Sequence, residues 1–400
     1  VTAATNTSQR LEPADWTEWF MWVGVCMASA YCAVLAAALL QGHWLVDSQG
    51  RPIAADFVNV YAAGTLALQG DAPAAYDWGL HKQAEVAALG HAFGGYFGWH
   101  YPPTFLFVAC LLALLPLVPA TLAWLALTLP MYVWAIRSIV PSRAAVLLAV
   151  SFPGVIWNIS VGQNGFLTAA LVGGSLLLVE RRPVVAGILL GLLTYKPQFG
   201  LLFPLALAFG GYWRVIGVAT GTALVLAAAS CLAFGADSWH AFVTWMPALS
   251  NAVFAEGRVR LDKLQTLLGL VRWLGGGMTL AWTLQGMLIV CCACAAAWTW
   301  HSSVRYEIKA ATLATAALLA TPYLFIYDLV VLAIPMAFLL QMGLRDGFLR
   351  YELAGLALAA LLVLAFPITA VPTGLAAVLT VAAMIGRRLT LPQPDADCTA

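Results

Sequence analysis

Charge is scarce in this sequence: 9% of its 400 residues are Asp, Glu, Lys or Arg, against 62% hydrophobic and a mean hydropathy of +0.88. That balance excludes a water-soluble domain of this length, because too few polar side chains remain to cover its surface. A net charge of +1 gives no footing for nucleic acid or an acidic soluble partner.

Other absences narrow the field further. Eight cysteines supply no disulfide framework, since Cys26, Cys32, Cys110 and Cys231 stand inside apolar runs. "CCAC" at 291–294 has no His or charged group within a helical turn, so it reads as packed helix rather than a redox or metal site. The histidines, at 43, 81, 91, 100, 240 and 301, show no ligand spacing. No metal or other cofactor is therefore expected, although Asp56, Asp71 and Asp77 carry the oxygen ligands a divalent ion uses. "DAD" at 395–397 imitates a nucleotide-sugar motif but lies in a polar tail, and nucleotide binding is not expected. No linker, composition shift or fixed-period repeat divides the chain.

What is present is a series of apolar runs that reach or approach the roughly 20 residues needed to cross a bilayer. The fold class expected is an all-α polytopic membrane protein. The run from Trp19 to Leu40 exceeds the ~7–15-residue core of a cleavable signal, so it reads as a retained first helix after a cytoplasmic segment at 1–18. Basic residues favour the cytoplasmic side of short loops. Arg137 and Arg143, Arg181 and Arg182, Arg214, Arg305 and Lys309, Arg345 and Arg350, and Arg387 and Arg388 would then all be inside. The alternation gives about 12 transmembrane helices in one domain over 19–388, with a cytoplasmic tail at 389–400.

Two external loops, 41–100 and 235–278, are expected to carry amphipathic helices. The second owes its placement to parity, since it contains Arg258, Arg260, Lys263 and Arg272. Residues 102–136 divide at "LLPLVPA", so one piece is short or re-entrant, and 183–213 reads as two short helices meeting at Lys196-Pro197. Gly187 with Gly191, and Gly217 with Gly221, form G-x-x-x-G pairs suited to close helix packing.

Asp56 precedes an i, i+3, i+4 stripe of Phe57, Val60, Tyr61, Gly64 and Leu68, which predicts a short helix over 57–69 along the outer membrane surface. Asp56 is either the cap of that helix or a functional carboxylate. Asp71 and Asp77 have the same two readings around Pro73. Lys196, between apolar helices, either faces a cavity or partner or snorkels to the interface. Gln163 and Asn164 mark an external turn, and Asp328 follows Tyr323 and Tyr327 at the outer end of a crossing.

Five blocks carry a resemblance: "DFVNVYAAGTLALQGDAPAAYDWG", "YPPTFLFVACLLALLP", "VGQNGFLTAALVGGSLLL", "RRPVVAGILLGLLTYKPQFGLLFPLALAFGGYWR" and "ATPYLFIYDLVVLAIP". In this order the chain resembles glycosyltransferase family eighty-seven, bacterial membrane glycosyltransferases of the C-type (GT-C) fold. The resemblance implies transfer of mannose or another hexose from a polyprenyl-phosphate donor to a lipid or glycan acceptor, on the periplasmic face of the bacterial inner membrane. It also implies that Asp56 is the catalytic base. The stretch from Gly70 to Asp77 has more alanines than the family pattern, which bears on Asp71 and Asp77 but not on Asp56.

In such a displacement the departing phosphate needs a cation in a poorly hydrated site. Lys196 is the first candidate, with Arg258 and Arg260 next. Tyr61, Asp77, His100, Tyr101, Gln163, Asn164, Tyr323 and Asp328 are the expected substrate contacts. The alternative from another class is a secondary transporter or a flippase for lipid-linked or small polar solutes.

Overall fold

The computed structural model describes residues 10–11, 16–95, 97–254 and 260–390, which form a helical protein with one two-stranded ribbon. Among the described residues, five stretches are long and apolar enough to cross a membrane: Glu18–Leu40, Leu117–Ile139, Trp213–Phe234, Met278–His301 and Ile326–Asp346. The first lies in α1 (Trp16–Leu40). Shorter helices follow: α2 (Phe57–Leu68), α3 (Trp78–Leu89) and α4 (Leu106–Ala113). The eight residues of α4, stopped before Pro116, are the short piece expected ahead of the full-length α5 (Leu117–Ile139).

α6 (Arg143–Ser151) and α7 (Pro153–Val161) meet at 54° and count as a sixth span if taken together. The bend has a local cause. Phe152 adopts φ −61°, ψ 131° before Pro153, the extended region that a proline imposes on its predecessor. Lys196, before Pro197, is likewise held out of the helical region, at φ −127°, ψ 71°. There the chain breaks, after α8 (Gly165–Leu178) and α9 (Pro183–Leu192), into α10 (Pro197–Gly200) and α11 (Phe203–Phe209). The rest comprises α12 (Trp213–Phe234), α13 (Ala236–Phe254), α14 (Leu267–Trp273), α15 (Met278–His301), α16 (Tyr306–Ala320), α17 (Ala333–Asp346), α18 (Glu352–Thr369) and α19 (Thr373–Leu389). A 3-10 stretch, Ile326–Leu332, leads into α17.

α2 departs from expectation. Instead of lying on an open surface it packs against α4, and Phe57, Val58, Asn59, Val60, Ala62, Ala63 and Gly64 are all buried. The reason is the small-residue face: a Cβ at Gly64 would come within 2.1 Å of the Ala109 carbonyl oxygen, so glycine lets the two backbones touch. Burying Phe57, Val58 and Val60 contributes roughly 1.5–3 kcal/mol each. Only one of the two G-x-x-x-G pairs packs. Cβ atoms at Gly187 and Gly191 would lie 2.6 Å from Val218 Cβ and 2.4 Å from Thr222 Cβ on α12, whereas Gly217 and Gly221 meet nothing within 4 Å.

The helix ends sort by chemistry. At one end Arg305 pairs with Asp346 at 2.5 Å, Arg345 with Glu307 at 2.9 Å, and buried Arg388 with Glu352 at 2.5 Å. β1 (Arg10–Leu11) joins β2 (Phe348–Leu349) antiparallel at that end. At the far ends of α12 and α17, the segments 41–100 and 235–278 pack on each other. Trp245 Nε1 donates to the Trp99 carbonyl at 3.1 Å, and the Trp78 and Trp245 rings meet edge to face at 4.8 Å. The two long loops therefore share one face of the protein, and the paired basic ends share the other.

Candidate functional site

The site grows from the turn "VGQNG". α7 ends on Gly162 at φ +68°, the left-handed conformation glycine adopts without strain. A Cβ there would stand 2.8 Å from Phe57 Cβ, so glycine also lets the turn close onto the first residue of α2. That approach brings Gln163 to Asp56, and Gln163 Nε2 donates to Asp56 Oδ2 at 3.2 Å.

Asp56 does not cap α2. Its backbone is already helical, at φ −55°, ψ −27°, and its side chain accepts no bond from the helix N-terminus, because a capping side chain needs an extended backbone to fold back over those N–H groups. The carboxylate instead lines a cleft of about 270 Å³. His43, Trp44, Phe97, Thr121, Ser160 and Lys263 are among its walls. Loss of hydration raises the Asp56 pKa above the usual carboxylate value, opposed by the Gln163 hydrogen bond and by the charges of Lys263 and Lys196. The negative Asp328 pushes it further up.

Lys196 does not snorkel. It is buried at the proline break, with Nζ 2.6 Å from Asp328 Oδ1 and both side chains nearly inaccessible. The Phe199 and Tyr327 rings lie 5.7 and 5.9 Å from the ammonium. The other carboxylate oxygen, Oδ2, accepts from Phe325 N at 3.4 Å and closes the 3-10 turn. Lys196 thus meets a fixed counter-charge rather than open space.

The remaining expected residues divide. Tyr101 is buried and donates its hydroxyl to Gln163 Oε1 at 3.3 Å, and the Asn164 backbone N–H donates to the same oxygen at 3.2 Å. These two join Asp56 and Gln163 in one cluster. Asp77 caps α3 instead, accepting from Gly79 N and Leu80 N. Tyr61 sits part-buried on α2, and His100 is exposed beside Trp99. Tyr323 is part-buried, its backbone N–H on Thr321 Oγ1. Arg260 turns to Asp262 at 2.5 Å with 69% of its side chain exposed. Arg258 lies outside the described residues.

Lys263, absent from the expected site, lines the cleft with Asp56. Its side chain is exposed, and among the described residues it enters no ion pair. Nothing in the sequence around it sets it apart from Arg260, so only tertiary placement distinguishes the two. Behind the cluster, Tyr195 bonds Thr168 Oγ1 at 2.6 Å and stacks on Phe105 at 4.6 Å, while Trp124 Nε1 reaches the Gln163 carbonyl at 3.4 Å. Among the described residues no three His, Cys, Asp or Glu side chains converge as a metal site.

A helical membrane protein with a carboxylate and a cation on one cleft between loop and helix ends has the equipment for group transfer. Residues 99–322, more than half of the chain, match the pattern of glycosyltransferase family 87, and the chain belongs to that family. It is therefore a membrane glycosyltransferase, which replaces the transporter alternative. The matched region includes Tyr101, Gln163, Asn164, Lys196 and Lys263; Asp56 and Asp328 lie outside it. No curated protein and no solved structure matches the chain.

Proposed function

We propose that the protein moves a hexose, mannose in the first instance, from a polyprenyl phosphate to a lipid or glycan acceptor, with Asp56 as general base. The observation that carries this reading is the cleft itself, where Asp56 and Lys263 share the walls. In the reaction, the acceptor hydroxyl oxygen bonds to the anomeric carbon as its proton passes to Asp56. The bond from that carbon to the phosphate oxygen breaks, and polyprenyl phosphate leaves with the electron pair. Lys263 meets the phosphate, and its charge is worth most as the leaving oxygen becomes more negative. Lys196, bound to Asp328, is reassigned from phosphate ligand to the frame behind the cleft.

The reaction is placed on the periplasmic face of a bacterial inner membrane. In support, the cleft lies with the two packed loops, away from the basic helix ends that favour the cytoplasm. The reading keeps about 12 crossings, with α4 taken as re-entrant and α9 and α10–α11 taken as separate crossings; five of the described stretches are long and apolar enough to cross alone. The test is incubation of purified protein with radiolabelled polyprenyl-phosphate hexoses and bacterial lipid extract. Label is expected to move from polyprenyl-phosphate mannose. Transfer from a nucleotide sugar with no lipid donor present would overturn the reading.

A further inference from the structure

Gln163 entered the site as a candidate substrate contact, yet its side chain is engaged by the protein at both ends. Oε1 accepts from the Asn164 backbone N–H at 3.2 Å and from the Tyr101 hydroxyl at 3.3 Å, while Nε2 faces Asp56 Oδ2 at 3.2 Å. An amide can be flipped to exchange its oxygen and nitrogen. Here the backbone N–H of Asn164 decides the orientation, since it can only donate and must be met by the oxygen. Nitrogen is then left facing the carboxylate, and nitrogen cannot accept a proton from it. A protonated Asp56 would accept this N–H only through its neutral carbonyl oxygen, and an ionised one accepts it as the stronger, charge-assisted bond.

The parts that fix the amide are themselves fixed. Tyr101 is wedged against Trp99 at 5.0 Å and Phe105 at 4.9 Å, and its carbonyl accepts the Tyr76 hydroxyl at 2.9 Å. The Gln163 carbonyl is held by Trp124 Nε1. Little freedom remains for the Gln163 side chain to turn toward a sugar.

We propose that Gln163 is a positioning residue: its amide, locked by Asn164 and Tyr101, presents an N–H to Asp56 and keeps that carboxylate ionised and turned to the cleft. The inference rests on the reading of Asp56 as the base. It supplies what that reading lacks, because burial and the negative charge of Asp328 both push the Asp56 carboxyl toward its protonated, inactive form. Lys263, Lys196, Asp328, Glu85, Tyr101 and Tyr327 are the other groups whose charges couple to Asp56, and His43 shares its cleft. Of these, Tyr101 is the one that also bonds Gln163 directly.

The experiment separates the two ideas by reading Asp56 protonation without any sugar donor. Dicyclohexylcarbodiimide modifies protonated buried carboxyls, so the pH midpoint of Asp56 labelling, read by mass spectrometry on the full chain, reports its ionisation. Gln163→Met is expected to raise that midpoint by about one pH unit, since a bond favouring the charged form is gone. Gln163→Glu, which keeps the volume and guards against a folding failure, is expected to raise it as well, because two carboxyls then share the position. In parallel, transfer from polyprenyl-phosphate mannose by Gln163→Met should fall roughly tenfold to a hundredfold at neutral pH and recover as pH rises, with donor KM changed less than about twofold. A midpoint that stays put in both variants overturns the positioning role, as does a raised KM with unchanged kcat, which would make Gln163 a substrate contact. A raised midpoint with undiminished transfer at every pH leaves the effect on Asp56 standing and removes Asp56 as the base.

Discussion

Lys196 Nζ and Asp328 Oδ1, 132 positions apart in the chain, lie 2.6 Å from each other in a nearly inaccessible pocket. The pair joins the proline break ahead of α10 to the 3-10 turn that leads into α17. Removing one member strands the other charge in a site with little water. Lys196→Met should therefore lower thermal stability in detergent, by about 3–5 kcal/mol. The double variant Lys196→Met/Asp328→Leu should recover much of that loss. If the single variant is as stable as wild type but binds polyprenyl phosphate poorly, Lys196 is a ligand after all.

Asp56→Asn should leave the fold intact, because Asp56 makes no cap bond to α2 and the Asn oxygen still accepts from Gln163. Transfer should drop by about 10² or more, the usual worth of a general base. Thermal midpoint and turnover measured on one preparation check both halves. Retention of a tenth of wild-type turnover would remove Asp56 from the mechanism.

Lys263 differs from Lys196 in carrying a charge unpaired among the described residues. Lys263→Met should raise donor KM and lower kcat, since the same charge meets the phosphate before and during departure. Lys263→Arg should restore part of each, with charge kept and geometry altered. Equal kinetics for all three proteins would move the phosphate elsewhere.

α3 buries His81 and Glu85, 3.7 Å apart. Burial raises the Glu85 pKa to about 8 and lowers that of His81 to about 3. Between pH 4.5 and 8 the folded protein holds a proton on Glu85 that the unfolded chain releases, so this group's contribution to stability falls as pH rises. His81 acts oppositely between pH 3 and 6.5, where the unfolded chain takes up the proton and stability rises with pH. The two oppose each other from 4.5 to 6.5, and Glu85 alone acts from 6.5 to 8. Glu85→Gln should therefore flatten the decline of the thermal midpoint over that upper window. An unchanged slope would mean that Glu85 titrates normally.

The shared face of the long loops gives a topology test. In a cysteine-free background, Gln83→Cys on α3 and Asp237→Cys on α13, both exposed, should react with an impermeant maleimide in intact cells. Arg350→Cys, beside the ion-paired ends, should react only after permeabilisation. Labelling of just one of the first pair would contradict the packing of Trp245 on Trp99.

The sequence by itself determined the class and the breaks. Helical membrane character, the short piece before α5, and the interruption at Lys196-Pro197 are local properties: hydropathy is summed over neighbours, and a proline acts on the residue just before it. The resemblance to a glycosyltransferase family was likewise legible, because its blocks are contiguous stretches. Tertiary structure alone decided the partners. That Lys196 is neutralised by Asp328, that Gln163 reaches Asp56 across 107 positions, and that Lys263 rather than Arg260 lines the cleft all depend on which helix ends pack together. So does the burial of α2, whose apolar stripe suits an interface with α4 as well as a membrane surface. Periodicity along a helix shows which face is apolar, but what covers that face is set by contacts between segments distant in the chain.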